Sequence, residues 1–220
     1  MQIDASLPKD QRILIAAEEV FSTYGFEKST LDEIIKIADV GKGTVYKYFG
    51  NKEQLFYKLV NDKNKPFVEK LQQAINSGDT IESRLLAYFT EMIHFYRANC
   101  TLWQIICFEM LGASNGCRVE NLGHKRVVVP LYNTEPAEEI KEQVLRYHMI
   151  LEDEFILLYN LLKEGMASGV LKNGDPEIPT YHLFFGIAMS VFHFHQRKSI
   201  TDAEAAAISV DRFLHGVLQK

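Results

Sequence analysis

Gly41, Lys42, Gly43 and Thr44, within the stretch VGKGTVYKYFGNKEQL (residues 40–55), are residue types that hold phosphate. Glycines bare backbone N–H groups, and lysine adds a cation. Two sources of phosphate fit, a nucleotide or a nucleic-acid backbone. The nucleotide loop needs a glycine, four residues and then Gly-Lys-Ser/Thr, with a strand before it and a helix after it. Here Lys36 stands where the first glycine should be, Gly43 follows Lys42, and the preceding residues pattern as a helix. The nucleotide reading fails on spacing and on context.

The nucleic-acid reading has a geometric basis. At about 100° per residue, Val45 and Phe49 share one side of a short helix, as anchors into a small core. Thr44, Lys47 and Tyr48 share the other side, with Tyr46 between the two groups. A helix offered to a major groove has this division, because polar side chains near its N-terminus reach base edges. Gly43 lets the backbone approach closely. Thr30 and Lys52 stand at two other helix N-termini, where backbone amides and the positive dipole end favour phosphate. Lys42, Tyr46 and Lys52 are expected to track the DNA backbone. A solvated helical hairpin is the competing explanation.

The elements that must position this helix are legible around it. In KDQRILIAAEEVFSTYG the apolar residues Ile13, Ala16, Ala17, Val20, Phe21 and Tyr24 recur at three- and four-residue steps. Gly25 is a plausible left-handed stop for that helix. Thr30 with Glu33 is a capping-box pair that opens a helix ending at Ala38. Asp39, Val40 and Gly41 make a turn, and Asn51 caps the helix after the recognition segment. Helix, tight turn, helix is the helix-turn-helix outline.

Beyond residue 52 the periodic segments lengthen. Helices are expected over about 80–99, 101–111, 136–168, 177–197 and 202–219, with Pro66 interrupting or kinking the one that starts near Asn51. Residues 113–136 show turn residues and no clear period, and RVVV there could be a strand fragment. Without any long strand alternation the fold class is all-α: a three-helix head over 1–51 and a larger helical body over 52–220.

The net charge of -5 argues at first against nucleic acid. Its distribution does not. Residues 36–65 hold seven lysines against Asp39, Glu53 and Asp62, a local excess of four positive charges, whereas residues 66–220 hold 14 basic and 19 acidic side chains. Cys100, Cys107 and Cys117 are too few for a disulfide framework and suit a reducing compartment. With no secretory signal pattern and no apolar run of about 18 residues, a cytoplasmic protein is expected.

Residues 21–56, FSTYGFEKSTLDEIIKIADVGKGTVYKYFGNKEQLF, resemble the N-terminal signature of the TetR (tetracycline-repressor-like) family. Phe21, Gly25, Phe26, Thr30, Ile34, Ala38, Val40, Gly43, Thr44, Tyr46, Phe49, Lys52 and Leu55 fall where that pattern has such residues. The resemblance implies a DNA-binding head on a helical body that binds an effector and dimerises. Two positions depart from the pattern. Asp39 replaces the usual glycine, and aspartate tolerates a left-handed backbone. Gly41 replaces the usual serine, so a hydroxyl contact to phosphate is lost there and the operator sequence is altered more than DNA binding.

For the body, the resemblance implies a ligand pocket in a region rich in aromatic and sulfur side chains. Tyr88, Met92, Phe95, Trp103, Cys107, Met110, Tyr147, Leu151, Phe155 and Phe185 are the candidate effector contacts, with core packing as the alternative for each. As a group they suit a small hydrophobic or aromatic effector. Glu91, His94 and Glu109 could add polar contacts. The segment YHLFFGIAMSVFHF is apolar nearly all round, and Ala206, Val210, Phe213, Leu214, Val217 and Leu218 form a stripe on the last helix; both suit a homodimer interface. No catalytic pairing or metal motif stands out, and neither a cofactor nor a metal is expected. The reading is a DNA-binding regulator, a repressor released from a palindromic operator by its effector. An activator, a constitutive DNA binder or an all-helical enzyme are the alternatives.

Overall fold

The computed structural model describes residues 3–113, 117–122, 125–130, 137–194 and 200–217. Nine helices and one hairpin are found among them. The chain divides into two compact units, Met1–Lys65 with Thr101–Phe108, and Pro66–Cys100 with Glu109–Lys220.

The first unit begins with α1 (Lys9–Lys28), whose buried face is Ile13, Ala16, Ala17, Val20 and Phe21. Gly25 sits inside it at φ 76°, ψ 173°, so the helix breaks where the sequence placed its stop, and one more turn follows. An added Cβ there would meet no atom within 4 Å, so the backbone torsion alone calls for glycine. The extra turn swings Phe26 inward, where its ring meets Phe21 at 5.7 Å and Phe56 at 5.1 Å between centroids. Then come α2 (Leu31–Ala38), α3 (Lys42–Phe49) and α4 (Lys52–Asn76). Both α2 and α3 pack on α1 and on each other. Helix α4 runs through Pro66 without a break, although proline leaves the Asp62 carbonyl without its helical N–H. The division between the units falls at this proline.

The second unit is built on α5 (Ile81–Ala98), which packs against α7 (Glu138–Ala167), α8 (Glu177–Phe194) and α9 (Asp202–Val217). Helix α6 (Cys100–Ala113) is shared between the units. Capping boxes open α5 (Thr80 with Ser83) and α9, where the Thr201 N–H donates to Glu204 Oε2 at 2.8 Å. Gly169, at φ 74°, follows the end of α7, and the Leu171 N–H reaches back to the Gly165 carbonyl at 2.9 Å. A bidentate pair joins α5 to α7, with Arg84 Nη2 at 2.8 Å from Glu164 Oε2. Arg84 Nε also donates to the Ile75 carbonyl at the end of α4, at 2.7 Å.

The all-α reading holds for the body and head, with one addition. Residues Cys117–Leu122 (β1) and Lys125–Pro130 (β2) pair antiparallel, with Val119 opposite Val128 and Leu122 opposite Lys125. The suspected strand fragment at RVVV lies in β2. A two-stranded ribbon is marginal alone, and β2 packs on α7.

Two tyrosines and a glutamate lie buried between α5 and α7. Tyr88 Oη donates to the Glu154 carbonyl at 2.9 Å, and Tyr96 Oη donates to the Glu154 carboxylate at 2.6 Å. Burial holds the Tyr88 hydroxyl well above its ordinary pKa, so it remains a donor. Also buried on α7, His148 has Nδ1 at 2.9 Å from the Val144 carbonyl. A carbonyl only accepts, so Nδ1 carries the proton. Burial lowers the pKa of this ring. The folded state therefore keeps His148 neutral, whereas the unfolded chain takes up a proton below about pH 6.5. Stability rises with pH wherever the unfolded state binds more protons, so it is lost as the pH falls. A melting series from neutral to acidic pH is expected to show Tm falling through this range, with a shallower fall in His148→Gln. Parallel curves for the two proteins would remove His148 from the account.

Candidate nucleic-acid interface

Local chemistry sets α2 and α3 at their angle. The Thr30 hydroxyl accepts from the Glu33 N–H at 3.3 Å, while the Glu33 carboxylate accepts from the Thr30 N–H at 3.0 Å, so the expected capping box is present. Asp39 caps the other end of α2 at φ 50°, ψ 56°, in the left-handed region, as its sequence position requires. Among the described residues it is the one non-glycine with positive φ. Gly41 then opens α3 with no side-chain cap, and the Thr44 N–H bonds to its carbonyl at 2.9 Å. Asn51 Oδ1 accepts from the Gln54 N–H at 2.8 Å, which starts α4.

Helix α3 divides as its angular pattern predicts. Val45 and Phe49 are buried, at 1% and 7% exposure, whereas Tyr46 and Tyr48 are exposed at 47% and 54%. Lys47 is exposed and Thr44 half-buried. An added Cβ at Gly43 would touch nothing within 4 Å, so this side of the helix is open to a close partner. The exposed face thus presents hydroxyls and amines, and the buried face is wholly apolar.

The remaining cations are placed differently from one another. Lys42 Nζ lies 3.1 Å from Asp32 Oδ1, both highly exposed, and this hydrogen bond raises the lysine pKa. Such a pair is weak and yields readily to a phosphate. Lys52 instead turns inward. Its ammonium donates to the carbonyls of Phe26 at 2.9 Å and Ser29 at 3.2 Å, and lies 4.3 Å from the centre of the Phe26 ring. The expectation of Lys52 as an open phosphate contact is corrected to this extent: two of its N–H groups close the α1–α2 junction.

One positioning residue was missed. Arg12 on α1 is 9% exposed and donates from Nη2 to the Asp39 carbonyl at 3.0 Å. Only its cationic type, at the edge of the apolar run Ile13–Ala17, could have drawn attention to it.

The candidate effector residues fall in both units. Trp103 and Cys107 belong to the first, and Tyr88, Met92, Phe95, Tyr147, Leu151, Phe155 and Phe185 to the second. Met110 and Glu109 have side chains outside the described residues. Phe95 stacks on Phe67 at 3.9 Å, Phe155 meets Phe184 at 5.5 Å, and Phe185 meets Tyr181 at 4.7 Å. Tyr88, Met92, Tyr147 and Leu151 are buried. Glu91 lines an open groove with Lys70, Gln73 and Thr90, and His94 pairs with Asp202 at the surface, 3.0 Å away, far in character from buried His148. Burial pushes the half-buried Cys100 thiol up, which disfavours the thiolate a redox sensor needs. Among the described residues no cluster of three metal-ligating side chains occurs, and no helix is long and apolar enough to cross a membrane.

A capped helix, a left-handed turn and a second helix with an apolar anchor face and a polar open face define a helix-turn-helix DNA-binding protein. Residues 13–59 match the model of "Bacterial regulatory proteins, tetR family", so the described helix-turn-helix region is the part of the chain that is similar to this family of transcriptional regulators. Its relatives are regulators rather than enzymes. The HTH-type transcriptional regulator YhgD of Bacillus subtilis is 24% identical and covers 92% of each chain. The fatty acid metabolism regulator protein of the same organism is 26% identical over 76% of this chain and 73% of its own. Among solved structures, the transcriptional regulator FadR from Bacillus subtilis, in complex with stearoyl-CoA, is 25% identical with a TM-score of 0.67, over 93% of this chain and 96% of that one.

Proposed function

We propose that the protein is a homodimeric repressor that leaves a palindromic operator when its body binds a long-chain acyl-CoA. The effector class is supported by the FadR likeness, which extends over nearly the full length of both chains and concerns a protein holding stearoyl-CoA. It refines the hydrophobic effector expected from the aromatic body.

In this reading residues 1–51 bind DNA and 52–220 bind effector and partner. Thr44, Lys47 and Tyr48 read base edges, while Thr30, Lys42, Gly43, Tyr46 and the outward N–H of Lys52 contact phosphate. Helices α8 and α9 form the two-fold interface, where Ile178, Met189 and Ile208 are exposed apolar side chains that a second copy would cover. The acyl-CoA must bind the DNA-incompetent arrangement more tightly than the competent one, since otherwise it shifts nothing. Pro66 is the candidate pivot within α4.

The test is a gel-shift titration with the protein's own upstream DNA and a panel of acyl-CoA esters, free fatty acids and coenzyme A. Release by the long-chain esters alone is expected. Release by none of them overturns the effector class, and tighter DNA binding in their presence overturns the repressor mechanism.

A further inference from the structure

We propose that Arg12 positions the recognition helix, and that it thereby sets sequence discrimination rather than overall DNA affinity. This inference rests on α3 as the base-reading element.

The turn that aims α3 has few fixed points. Gly41 offers no side-chain cap. The Lys42–Asp32 pair that bridges α2 and α3 is exposed at both ends, 63% and 75%, and is screened. Beside the apolar anchors Val45 and Phe49 and the Val40 N–H bond to the Ile35 carbonyl at 3.4 Å, the turn is held by the left-handed backbone of Asp39 and by one side chain arriving from 27 residues away. Arg12 Nη2 donates to the carbonyl of Asp39 itself, the residue where the chain leaves α2. That carbonyl is one of the orphans of a helix C-terminus, and a cation there also meets the negative end of the helix dipole. The guanidinium is held at this place at a cost. It is nine-tenths buried, and its Nε has no hydrogen-bond partner among the described residues. A buried polar group left so is unfavourable, and the contact to the turn offsets it.

The two kinds of DNA contact differ in their tolerance of error. Base-edge hydrogen bonds fail with a small displacement of α3. Phosphate attraction is long-ranged and survives a shift in aim. Losing Arg12 should therefore separate the two.

The experiment uses the full-length protein at one salt concentration, titrated onto its selected operator and onto a scrambled duplex of the same length. Arg12→Met is expected to weaken operator binding about tenfold, the scale of one lost base contact, and to leave scrambled binding within about twofold. Arg12→Lys, which restores a donor and a charge, should recover most of the ratio. Backbone amide shifts of Val40 to Gly43 should move in the Met variant and return in the Lys variant. If Arg12→Met gives no cooperative melt, Arg12→Gln carries the same comparison. Equal losses on both duplexes, or none on either, overturn the proposal. A wild-type protein that fails to distinguish the duplexes instead defeats the base-reading assignment on which it rests.

Discussion

Replacing Lys47 and Tyr48 together by alanine is expected to lower operator affinity by about a hundredfold and to leave the melting temperature unchanged. Each good base contact contributes about 1–3 kcal/mol of discrimination, and separate contacts add roughly. Both side chains are exposed, so their truncation opens no cavity. Alanine is also the strongest helix former, so α3 itself should gain slightly. Losing Lys47 should also lessen the salt dependence of binding, if its ammonium releases counterions on the DNA. Fluorescence anisotropy titration at two salt concentrations, with a circular-dichroism melt beside it, reads all three effects. Unaltered affinity would mean that the open face of α3 is not the reading face. A lowered Tm would mean that these side chains hold the fold.

Phe49→Ala, one position further along the same helix, should behave in the opposite way. Phe49 is 7% exposed and Val45 1%, and these two are the buried side chains of α3. Truncating a buried phenylalanine costs about 3–5 kcal/mol. A small domain buries a limited share of its surface, and a total stability of about 5–15 kcal/mol leaves little reserve for such a loss. The head should then be partly unfolded at growth temperature, and operator and scrambled DNA should both be lost. Urea unfolding checks the magnitude, and a change below about 1 kcal/mol would contradict the anchor assignment. The three changes around α3 thus have separable signatures. Lys47 and Tyr48 affect binding alone, Arg12 affects discrimination, and Phe49 affects folding.

The head was legible because its determinants are local. Thr30 and Glu33 of the capping box are three positions apart, Gly25 and Asp39 set their own backbone torsions, and Val45 and Phe49 are one helical turn apart. Arg12 and Lys52 were not legible in the same way. Each acts on a carbonyl 23 to 27 residues distant, and no spacing rule links a side chain to a far backbone atom. The β1–β2 hairpin escaped for a related reason, because cross-strand pairing is not visible along one strand. In the body the periodicity located the helices but not the purpose of their aromatic faces. Phe95 against Phe67 and Tyr96 against Glu154 are settled core contacts, while Trp103 and Cys107 belong to the first unit. A buried ring that packs and a buried ring that lines a ligand carry the same sequence signal.

The central claim is that this face of α3 reads a DNA sequence in a two-fold arrangement. The most direct measurement is selection of bound duplexes from a random pool by the purified full-length protein, followed by sequencing. The account predicts an enriched inverted repeat with half-sites about one helical turn apart, bound with an affinity that falls steeply as salt rises. A pool without enrichment, or one bound equally well by Lys47→Ala/Tyr48→Ala, would contradict it.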